Sequence, residues 1–288
     1  MNSNINNLFL AAGVFAASIA LVSCDKVDQP IRTNNFYNES LYGVVPTFTS
    51  LANPTRNVLF EEFTGIKCGY CPDQTLLVHA WDDEYGSRFV GVEIHAGSLA
   101  EPGNVPFTAD YRTTIGDQYW SALNGGFNPG ARINRNIDPT LLWPAGQWLN
   151  NLSTELALAP DIAMQMVTDY VESSNVLNVH IHNQALRAIS GECDLVVLIV
   201  ESNIISPQEW YGHDPIEVLD YEHNNVLRAG ITSGTGESVF VNPATGDQKI
   251  KSYSYRWNAD WNRDNCAVVA FVIDKTTGRI LNAIEQAI

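Results

Sequence analysis

Basic residues are scarce in this chain of 288 residues. Lysine and arginine total 16 against 32 aspartates and glutamates, which gives a formal net charge of -16 at pH 7. Proteins that bind nucleic acid need a basic face to neutralise the phosphates. The charge balance therefore excludes nucleic acid as an expected partner, and it favours an acidic, well-hydrated surface.

Cysteine is also sparse, with five residues in the chain and a single Cys-x-x-Cys sequence, at Cys68 and Cys71. Zinc modules usually carry a second cysteine or histidine pair at a short fixed spacing, and none follows here. The sequence also lacks a phosphate-binding glycine loop, a calcium-loop spacing, a Ser/His/Asp triad signature and a placeable pair of catalytic carboxylates. We therefore expect no cofactor, and the composition, 45% hydrophobic and 10% aromatic, is that of a folded protein.

Residues 1–23 have the character of an export signal. Within them, residues 8–22 form an apolar run that is too short for a comfortable membrane span. The run ends in Leu-Val-Ser followed by Cys24, which resembles the cleavage box of bacterial lipoproteins. The resemblance implies cleavage before Cys24 and attachment of acyl chains, which would anchor the protein to a membrane. The absence of lysine and arginine before Cys24 departs from the pattern, and an ordinary apolar helix is the alternative.

The cysteine count bears on the disulfides. An odd number is awkward for an exported protein, because exported compartments permit disulfides. Assigning Cys24 to lipid leaves four, of which Cys68 and Cys71 form one pair. Cys193 and Cys266 each open an apolar run typical of a strand, so a structural disulfide between them would join two distant strands. Two free buried thiols are the alternative.

The Cys-x-x-Cys pair lies between a predicted buried strand at 58–63 and a predicted helix at 72–85. Peptide dipoles at a helix N-terminus stabilise a thiolate and lower the thiol pKa. The short spacing lets the second thiol attack a mixed disulfide formed on the first. We therefore predict Cys68 as the more exposed nucleophile and Cys71 as the covered resolving thiol. An inert structural disulfide and half of a metal site are the competing interpretations.

The pattern along the mature chain changes twice. Residues 24–55 are polar and predict a tether. Residues 56–159 alternate strand and helix patterns, which is typical of an α/β domain. Residues 160–288 hold about eight short strand-like runs separated by turn residues, which predict an antiparallel β-sandwich domain. The predicted fold class is therefore α/β plus all-β, with the boundary near Pro160.

The α/β part resembles the thioredoxin superfamily in three local features. They are the Cys-Gly-Tyr-Cys motif after a strand, Glu62 six residues before Cys68, and Pro129 between a glycine-rich turn and a strand. The resemblance implies a thioredoxin-like fold. It also implies that Glu62 is a buried proton acceptor for Cys71 and that Pro129 is a cis-proline beside the disulfide.

Two features leave these roles open. Lys67 stands where thioredoxins usually have tryptophan, and its charge would either lower the pKa of Cys68 or simply be solvated. Because neighbouring strand residues point to opposite faces, Glu61 facing inward instead of Glu62 is an alternative.

The whole chain resembles a narrower group, the lipoproteins related to the twenty-eight-kilodalton outer-membrane protein. The residues that carry this resemblance are Val-Leu-Phe-Glu-Glu-Phe-Thr-Gly at 58–65, the Cys-Gly-Tyr-Cys-Pro that follows, and Tyr-Glu-His-Asn-Asn-Val-Leu-Arg at 221–228. It implies an outer-membrane lipoprotein that faces the periplasm or the surface, with a thioredoxin-like part and a β-sandwich part. It implies little about the substrate.

The histidines give weaker signals. His180 and His182 share one face of a predicted strand and are candidate metal ligands, or ordinary strand residues. His223 lies in a strand predicted at 217–228, where a histidine is usually hydrogen-bonded at the surface or in the core. We assign no metal site from the sequence.

Two functions follow from these features. The first is a lipid-anchored thiol–disulfide oxidoreductase of the cell envelope, whose partners are the thiols or disulfides of exported proteins and, through Cys24, the membrane. The second is a non-enzymatic surface lipoprotein in which the Cys68–Cys71 bond is structural and the β-sandwich binds a protein or a glycan. The reduction potential of the cysteine pair separates them, since structural disulfides lie below about -300 mV.

Overall fold

A computed structural model describes residues 35–288. The predicted signal peptide, the lipidation site at Cys24 and the first part of the tether lie outside the described residues. The described helices are α1 (Glu39–Tyr42), α2 (Cys71–Tyr85), α3 (Thr114–Ser121) and α4 (Trp148–Leu156). The described strands are β1 (Val58–Thr64), β2 (Phe89–His95), β3 (Gly130–Ile133), β4 (Trp143–Pro144), β5 (Ile162–Val171), β6 (Val176–Ala185), β7 (Glu192–Glu201), β8 (Ile204–Glu209), β9 (Glu217–His223), β10 (Val226–Gly230), β11 (Glu237–Val241), β12 (Gln248–Arg256), β13 (Cys266–Asp274) and β14 (Ile280–Ala287).

Strands β1 to β4 and their helices form the first part of the molecule. β1 and β2 are parallel and joined through α2, whereas β3 and β4 add on the other side of β1 in antiparallel fashion. Every residue of β1 and β2 is buried, because helices and neighbouring elements cover both faces of the sheet. At the end of this part, Trp143 and Pro144 pair with β3 as the short strand β4, and α4 begins after it.

The main sheet does not end at the predicted boundary near Pro160. Its strand order is β14-β13-β7-β10-β2-β1-β3-β4, and β11 pairs with β7 beside β10. Strand β10 joins β2 through the pairing of Val226 with Glu93. Residues 35–288 therefore form one compact unit in which strands from both sides of Pro160 share a hydrogen-bonded sheet.

A second sheet, β12-β6-β5, packs on the part of the main sheet formed by β7, β10, β11 and β13. Their inward side chains make a common apolar core, as expected for two packed antiparallel sheets. The predicted β-rich second half is thus present, but its sandwich is completed by strands of the shared sheet.

The strand predicted over 217–228 is divided in two. Asn225 has a positive φ of 53°, and this turn separates β9 from β10. β9 pairs with β8 in a hairpin that forms a separate two-stranded sheet, while β10 enters the main sheet. We call residues 204–223 the cover hairpin.

No helix within residues 35–288 combines the length and the apolar character needed to cross a membrane.

Candidate functional site

Cys68 and Cys71 lie where β1 leads into α2, as predicted. The two residues form a disulfide, and their Cα atoms are 5.3 Å apart. Cys68 sits in the turn before the helix, and its carbonyl accepts a hydrogen bond from the amide of Cys71, the first helical residue. Both are buried, with exposed fractions of 2% and 1%. The predicted exposure of Cys68 is therefore wrong, because another part of the chain covers it.

The cover hairpin lies against the disulfide turn. The amide of Glu209 donates to the carbonyl of Ile66 at 2.9 Å, and the amide of Tyr211 donates to the carbonyl of Gly69 at 2.8 Å. Gln208 reaches under the turn, and its Nε2 donates to the carbonyl of Cys68 at 3.2 Å. The backbone around the cysteines is thus hydrogen-bonded to a hairpin that is distant in sequence. Gln208 and Cys68, for example, are 140 residues apart.

Side chains close the same contact. The indole N–H of Trp210 donates to Oδ1 of Asp73 in the first turn of α2 at 2.8 Å. The rings of Tyr70 and Tyr211 meet edge to face with centroids 4.9 Å apart. The hairpin therefore covers the disulfide from the turn to the helix start, and neither the Cys-x-x-Cys motif nor its flanks signal this in the sequence.

Glu62 lies on the α2 face of the sheet and is buried, as the thioredoxin resemblance implies. The Thr75 hydroxyl lies 3.1 Å from Glu62 Oε1 and 3.2 Å from the carbonyl oxygen of Cys71. Burial raises the pKa of Glu62 to about 8. A protonated Glu62 can donate to the Thr75 oxygen while that hydroxyl donates to the Cys71 carbonyl, so one threonine links the acid to the backbone of the second cysteine.

Glu61 is buried as well, on the opposite face. Its carboxylate accepts hydrogen bonds from Arg132 at 2.6 Å and from Arg135 at 2.8 and 3.0 Å. Burial acts to raise the pKa of Glu61, but the two guanidinium groups outweigh it and hold that pKa below its usual value. Both acids are therefore buried, Glu62 on the α2 face of the sheet and Glu61 on the other face. The choice of one inward-facing acid does not arise, because the sheet is covered on both faces.

The peptide bond between Asn128 and Pro129 is cis, as the thioredoxin resemblance implies. Pro129 directly precedes β3, and Gly130 pairs with Phe63 near the end of β1. The proline and the cysteine turn thus belong to the same end of the sheet.

A second group of polar side chains gathers on the α2 face of β2. Glu93, His95 and His223 each place a possible ligand atom within 4.8 Å of the others. Glu93 and His95 share a face because strand side chains alternate, and His223 arrives from the end of the cover hairpin. Sequence reasoning missed this cluster. The Glu-x-His spacing in β2 was the available local signal, but the partner at His223 depends on long-range pairing.

Burial is the main cause of the pKa shifts of these three side chains. Burial, together with His223 and Arg228, lowers the pKa of His95 well below its usual value. Burial also lowers the pKa of His223 to about 4 and raises that of Glu93 well above its usual value, with the charge of Glu62 adding to the second effect.

His180 and His182, the candidate metal ligands from the sequence, join no cluster of possible ligands within residues 35–288. His180 hydrogen-bonds Ser252, and both ring nitrogens of His182 hydrogen-bond glutamines, Gln165 and Gln248. These are ordinary strand histidines between β5, β6 and β12.

Cys193 and Cys266 are both free and buried, so the predicted structural disulfide is wrong. β7 and β13 pair in antiparallel register, with Cys193 opposite Asp274 and Cys266 opposite Glu201. The cysteines thus lie at opposite ends of the pair, about 27 Å apart at roughly 3.4 Å per residue. Cys266 opens β13 and Cys193 is the second residue of β7, but antiparallel pairing places two strand starts far from each other.

Comparisons with known proteins agree with this architecture. The family model of the outer membrane protein Omp28 matches residues 116–288, and no curated protein sequence matches the chain. The structure of HBP35 of Porphyromonas gingivalis is similar at a TM-score of 0.62 and 17% identity, covering 83% of this chain and 77% of that one. This likeness shows a shared fold.

Two further solved structures are similar with lower TM-scores. A protein from Agrobacterium tumefaciens has a TM-score of 0.49 at 13% identity, covering 81% of this chain and 95% of that one. A domain of the outer membrane lipoprotein Omp28 from Porphyromonas gingivalis has a TM-score of 0.30 at 17% identity, covering 45% of this chain and 88% of that one.

Proposed function

Because the chain belongs to the Omp28 family of outer membrane proteins, we propose that it is an outer-membrane lipoprotein that exchanges disulfides with exported proteins. Lipid on Cys24 holds it at the membrane, and the pair Cys68–Cys71 carries the exchange. The part of the chain formed by β1 to β4 is thioredoxin-like in this proposal.

The strand arrangement supports the thioredoxin-like assignment. β2, β1, β3 and β4 lie side by side, with β1 parallel to β2 and antiparallel to β3. The helix α2 connects the parallel strands and begins at Cys71. Pro129 directly precedes the third strand, at the end of the sheet where the cysteines lie. A βαβ unit followed by an antiparallel hairpin and a helix is the order expected of that fold.

The placement of the buried acid Glu62, one threonine away from the backbone of Cys71, carries the functional proposal. A buried carboxyl without an ion-pair partner is unfavourable unless it stays protonated. Among the described residues Glu62 has no ion-pair partner, whereas its neighbour Glu61 has two arginines. An acid that keeps its proton at the start of the helix that carries the second cysteine suits a site where a thiolate must be protonated and deprotonated in turn.

The exchange can be written from the bonded state of the pair. A thiolate of an exported protein attacks the sulfur of Cys68, a mixed disulfide forms, and the bond to Cys71 breaks. The departing Cys71 thiolate takes the proton of Glu62. A second partner thiolate then attacks the mixed disulfide, Cys68 leaves as a thiolate, and the partner holds a new disulfide. The partner is oxidised by two electrons and the pair is reduced by two, and the reverse sequence reduces a partner disulfide.

The cover hairpin must move for this chemistry, because Cys68 is 2% exposed. The hairpin is a sheet of its own and meets the cysteine turn through a few hydrogen bonds and the Tyr70–Tyr211 contact. Segments held by few contacts open locally at a modest free-energy cost. A partner that displaces Tyr211 would reach the Cys68 sulfur.

Trapping in cells tests the proposal. With Cys71 replaced by alanine, Cys68 should hold partners in mixed disulfides that migrate as adducts on non-reducing gels and can be identified by mass spectrometry. Cys68→Ala should hold none, and Cys193→Ala, which alters a remote buried thiol, should behave as the wild type. Absence of adducts from both Cys71→Ala and a Cys71→Ala/Tyr211→Ala protein would overturn the exchange function.

The burial of both cysteines favours a second candidate. In it, the disulfide is a structural link and the protein binds a protein or glycan through its β-sandwich. The trapping result separates the two, because a structural pair gives no adducts even when the cover is weakened.

A further inference from the structure

Three buried side chains with possible metal-ligand atoms converge between β2 and the cover hairpin. Neither the proposed cysteine chemistry nor the family assignment gives all three a role. The amide of Glu93 donates to the carbonyl of Asn225 at 2.8 Å, which fixes the turn after β9 against β2. That contact brings His223, two residues before Asn225, to the face where Glu93 and His95 point. Their ligand atoms lie within 4.8 Å of one another.

The three side chains are buried, and most of their ring nitrogens lack a hydrogen-bond partner among the described residues. Glu93 is 4% exposed, and His95 and His223 are each 2% exposed. Both ring nitrogens of His95 and Nε2 of His223 have no hydrogen-bond partner within the described part of the chain. Buried polar atoms are nearly always paired, because an unpaired one loses its hydration without compensation. The unpaired nitrogens of two imidazoles beside one carboxyl group are therefore free to act as ligands of a cation.

The surroundings orient one of these donors. His223 makes a hydrogen bond with the backbone of Ser206, which leaves Nε2 as the ring nitrogen without a partner. Histidines that ligate metals usually donate their other ring N–H to a carbonyl or carboxylate in this way. The ring of Tyr111 packs at an angle against both imidazoles, at centroid distances of 5.1 and 5.4 Å, and so limits their rotation.

The local charge is consistent with a cation. Glu62 pairs with Glu93 across β1 and β2, which places two buried acids side by side. Within residues 35–288, neither acid has an arginine or lysine in ion-pair contact, and His79 approaches Glu93 no closer than 4.0 Å. Arg228, which lies near His95, is itself paired with Glu201 at 3.2 Å.

We propose that Glu93, His95 and His223 bind one divalent transition-metal ion of the zinc type. Two imidazoles and one carboxylate form a frequent ligand set for such ions, with a further position open to water or substrate. Calcium and magnesium prefer sets made of oxygen ligands, so they do not fit this cluster. Zinc–nitrogen bonds of about 2.0–2.1 Å draw the three donors somewhat closer together than they lie here.

Such an ion would tie the cover hairpin to the sheet. Glu93 and His95 belong to β2, whereas His223 is the last residue of β9. Binding would therefore hold the hairpin over the disulfide, since an ion that binds only the closed arrangement stabilises it.

The test is a zinc titration of the full chain, stripped with EDTA and kept oxidised so that Cys68 and Cys71 offer no thiol. Calorimetry should show one Zn²⁺ per chain. The variants His95→Gln, His223→Gln and Glu93→Gln should each weaken binding by more than the roughly 10- to 100-fold that loss of an outer-shell partner costs. His182→Gln is the matched control, because His182 is an equally buried strand histidine with both nitrogens paired.

A second measurement keeps the test independent of misfolding. Each variant is checked by circular dichroism, and hydrogen exchange is followed with and without Zn²⁺. In the wild type and in His182→Gln, zinc should slow exchange in residues 204–223, and in His223→Gln it should not. No stoichiometric zinc binding by the wild type, or equal binding by folded His95→Gln and His223→Gln, would overturn the proposal, as would equal affinity for Mg²⁺.

Discussion

The ring of Tyr211 lies directly on the backbone of Gly69. A Cβ atom at Gly69 would come within 2.5 Å of the Tyr211 ring carbons Cδ1 and Cε1, and the Tyr211 amide also donates to the Gly69 carbonyl at 2.8 Å. The glycine of the Cys-Gly-Tyr-Cys motif thus makes room for the cover hairpin. Gly69 therefore belongs to a motif that resembles a redox site, and it is also required by the contact with the distant cover hairpin.

Weakening this contact should expose the disulfide. Tyr211→Ala removes the ring from Gly69 and from Tyr70, and edge-to-face pairs contribute about 0.5–1.5 kcal/mol. We expect reduction of Cys68–Cys71 by dithiothreitol to become several-fold to about tenfold faster, since 1.4 kcal/mol corresponds to a factor of ten. Maleimide labelling after timed reduction measures the rate. Leu219→Ala, at an exposed position of β9, should leave it unchanged, and an unchanged rate in Tyr211→Ala would contradict the role given to the hairpin.

The buried acid Glu61 should be important for stability. Its replacement by glutamine leaves Arg132 and Arg135 buried without their shared carboxylate, and removing one partner of a buried pair costs about 3–5 kcal/mol. Urea unfolding of Glu61→Gln should show a loss of that order. As a control, Glu192→Gln breaks the exposed pair with Lys275 and should unfold close to the wild type, because exposed pairs contribute little. A stable Glu61→Gln protein would mean that the two arginines find other partners.

Glu62 should make stability fall as pH rises. Its pKa is about 8 in the folded protein and roughly 4.3 in an unfolded chain. Between these values the folded state holds a proton that the unfolded state has lost, so the free energy of unfolding decreases with pH, by at most about 1.4 kcal/mol per pH unit for one proton. Below pH 4.3 and above pH 8 this contribution is constant.

Urea unfolding of Glu62→Gln at several pH values from 5 to 8, in EDTA, checks this. The variant should show a shallower decline than the wild type, because glutamine has no proton to lose. Glu93 and Tyr221 face Glu62, and Glu93 adds a decline of the same sign, so part of the slope should persist. Parallel curves for the two proteins would show that Glu62 is ionised in the folded state.

Cys193 and Cys266 should be unreactive thiols. Burial raises the pKa of Cys193 to about 11 and that of Cys266 to about 12, so thiolate is scarce at neutral pH. We expect iodoacetamide at pH 7.5 to leave both unmodified in the folded protein and to modify both in urea without reductant. Peptide mass spectrometry reads each site. Recovery of a Cys193–Cys266 cross-linked peptide would contradict the antiparallel register of β7 and β13.

Lipidation at Cys24 predicts the location of the protein. The Leu-Val-Ser sequence before Cys24 follows an apolar run, and several acyl chains give stable anchoring. Cell fractionation should find the wild type in the outer-membrane fraction and Cys24→Ala largely displaced from it. Retention of Cys24→Ala in that fraction, at wild-type level, would show that another segment holds the protein there.

The local sequence by itself determined the elements around the cysteines. An apolar run at 58–63, a Cys-x-x-Cys and a helical pattern after it are short-range signals, so the β1-turn-α2 arrangement follows from neighbouring residues. The buried position of Glu62 and the turn before Pro129 were predicted in the same way, through a resemblance carried by a few adjacent residues. The strand-rich second half was likewise readable from alternation and turn residues.

Only the tertiary structure decided what these elements meet. The register of β7 and β13 separated Cys193 from Cys266, although both lie at the start of a strand. The hairpin that covers Cys68, and the arrival of His223 beside Glu93, depend on contacts between residues more than 120 positions apart, as the Glu93–Asn225 and Gln208–Cys68 hydrogen bonds illustrate. Such contacts leave no local pattern, because they are selected by the packing free energy of the whole chain, to which each residue contributes only a small part.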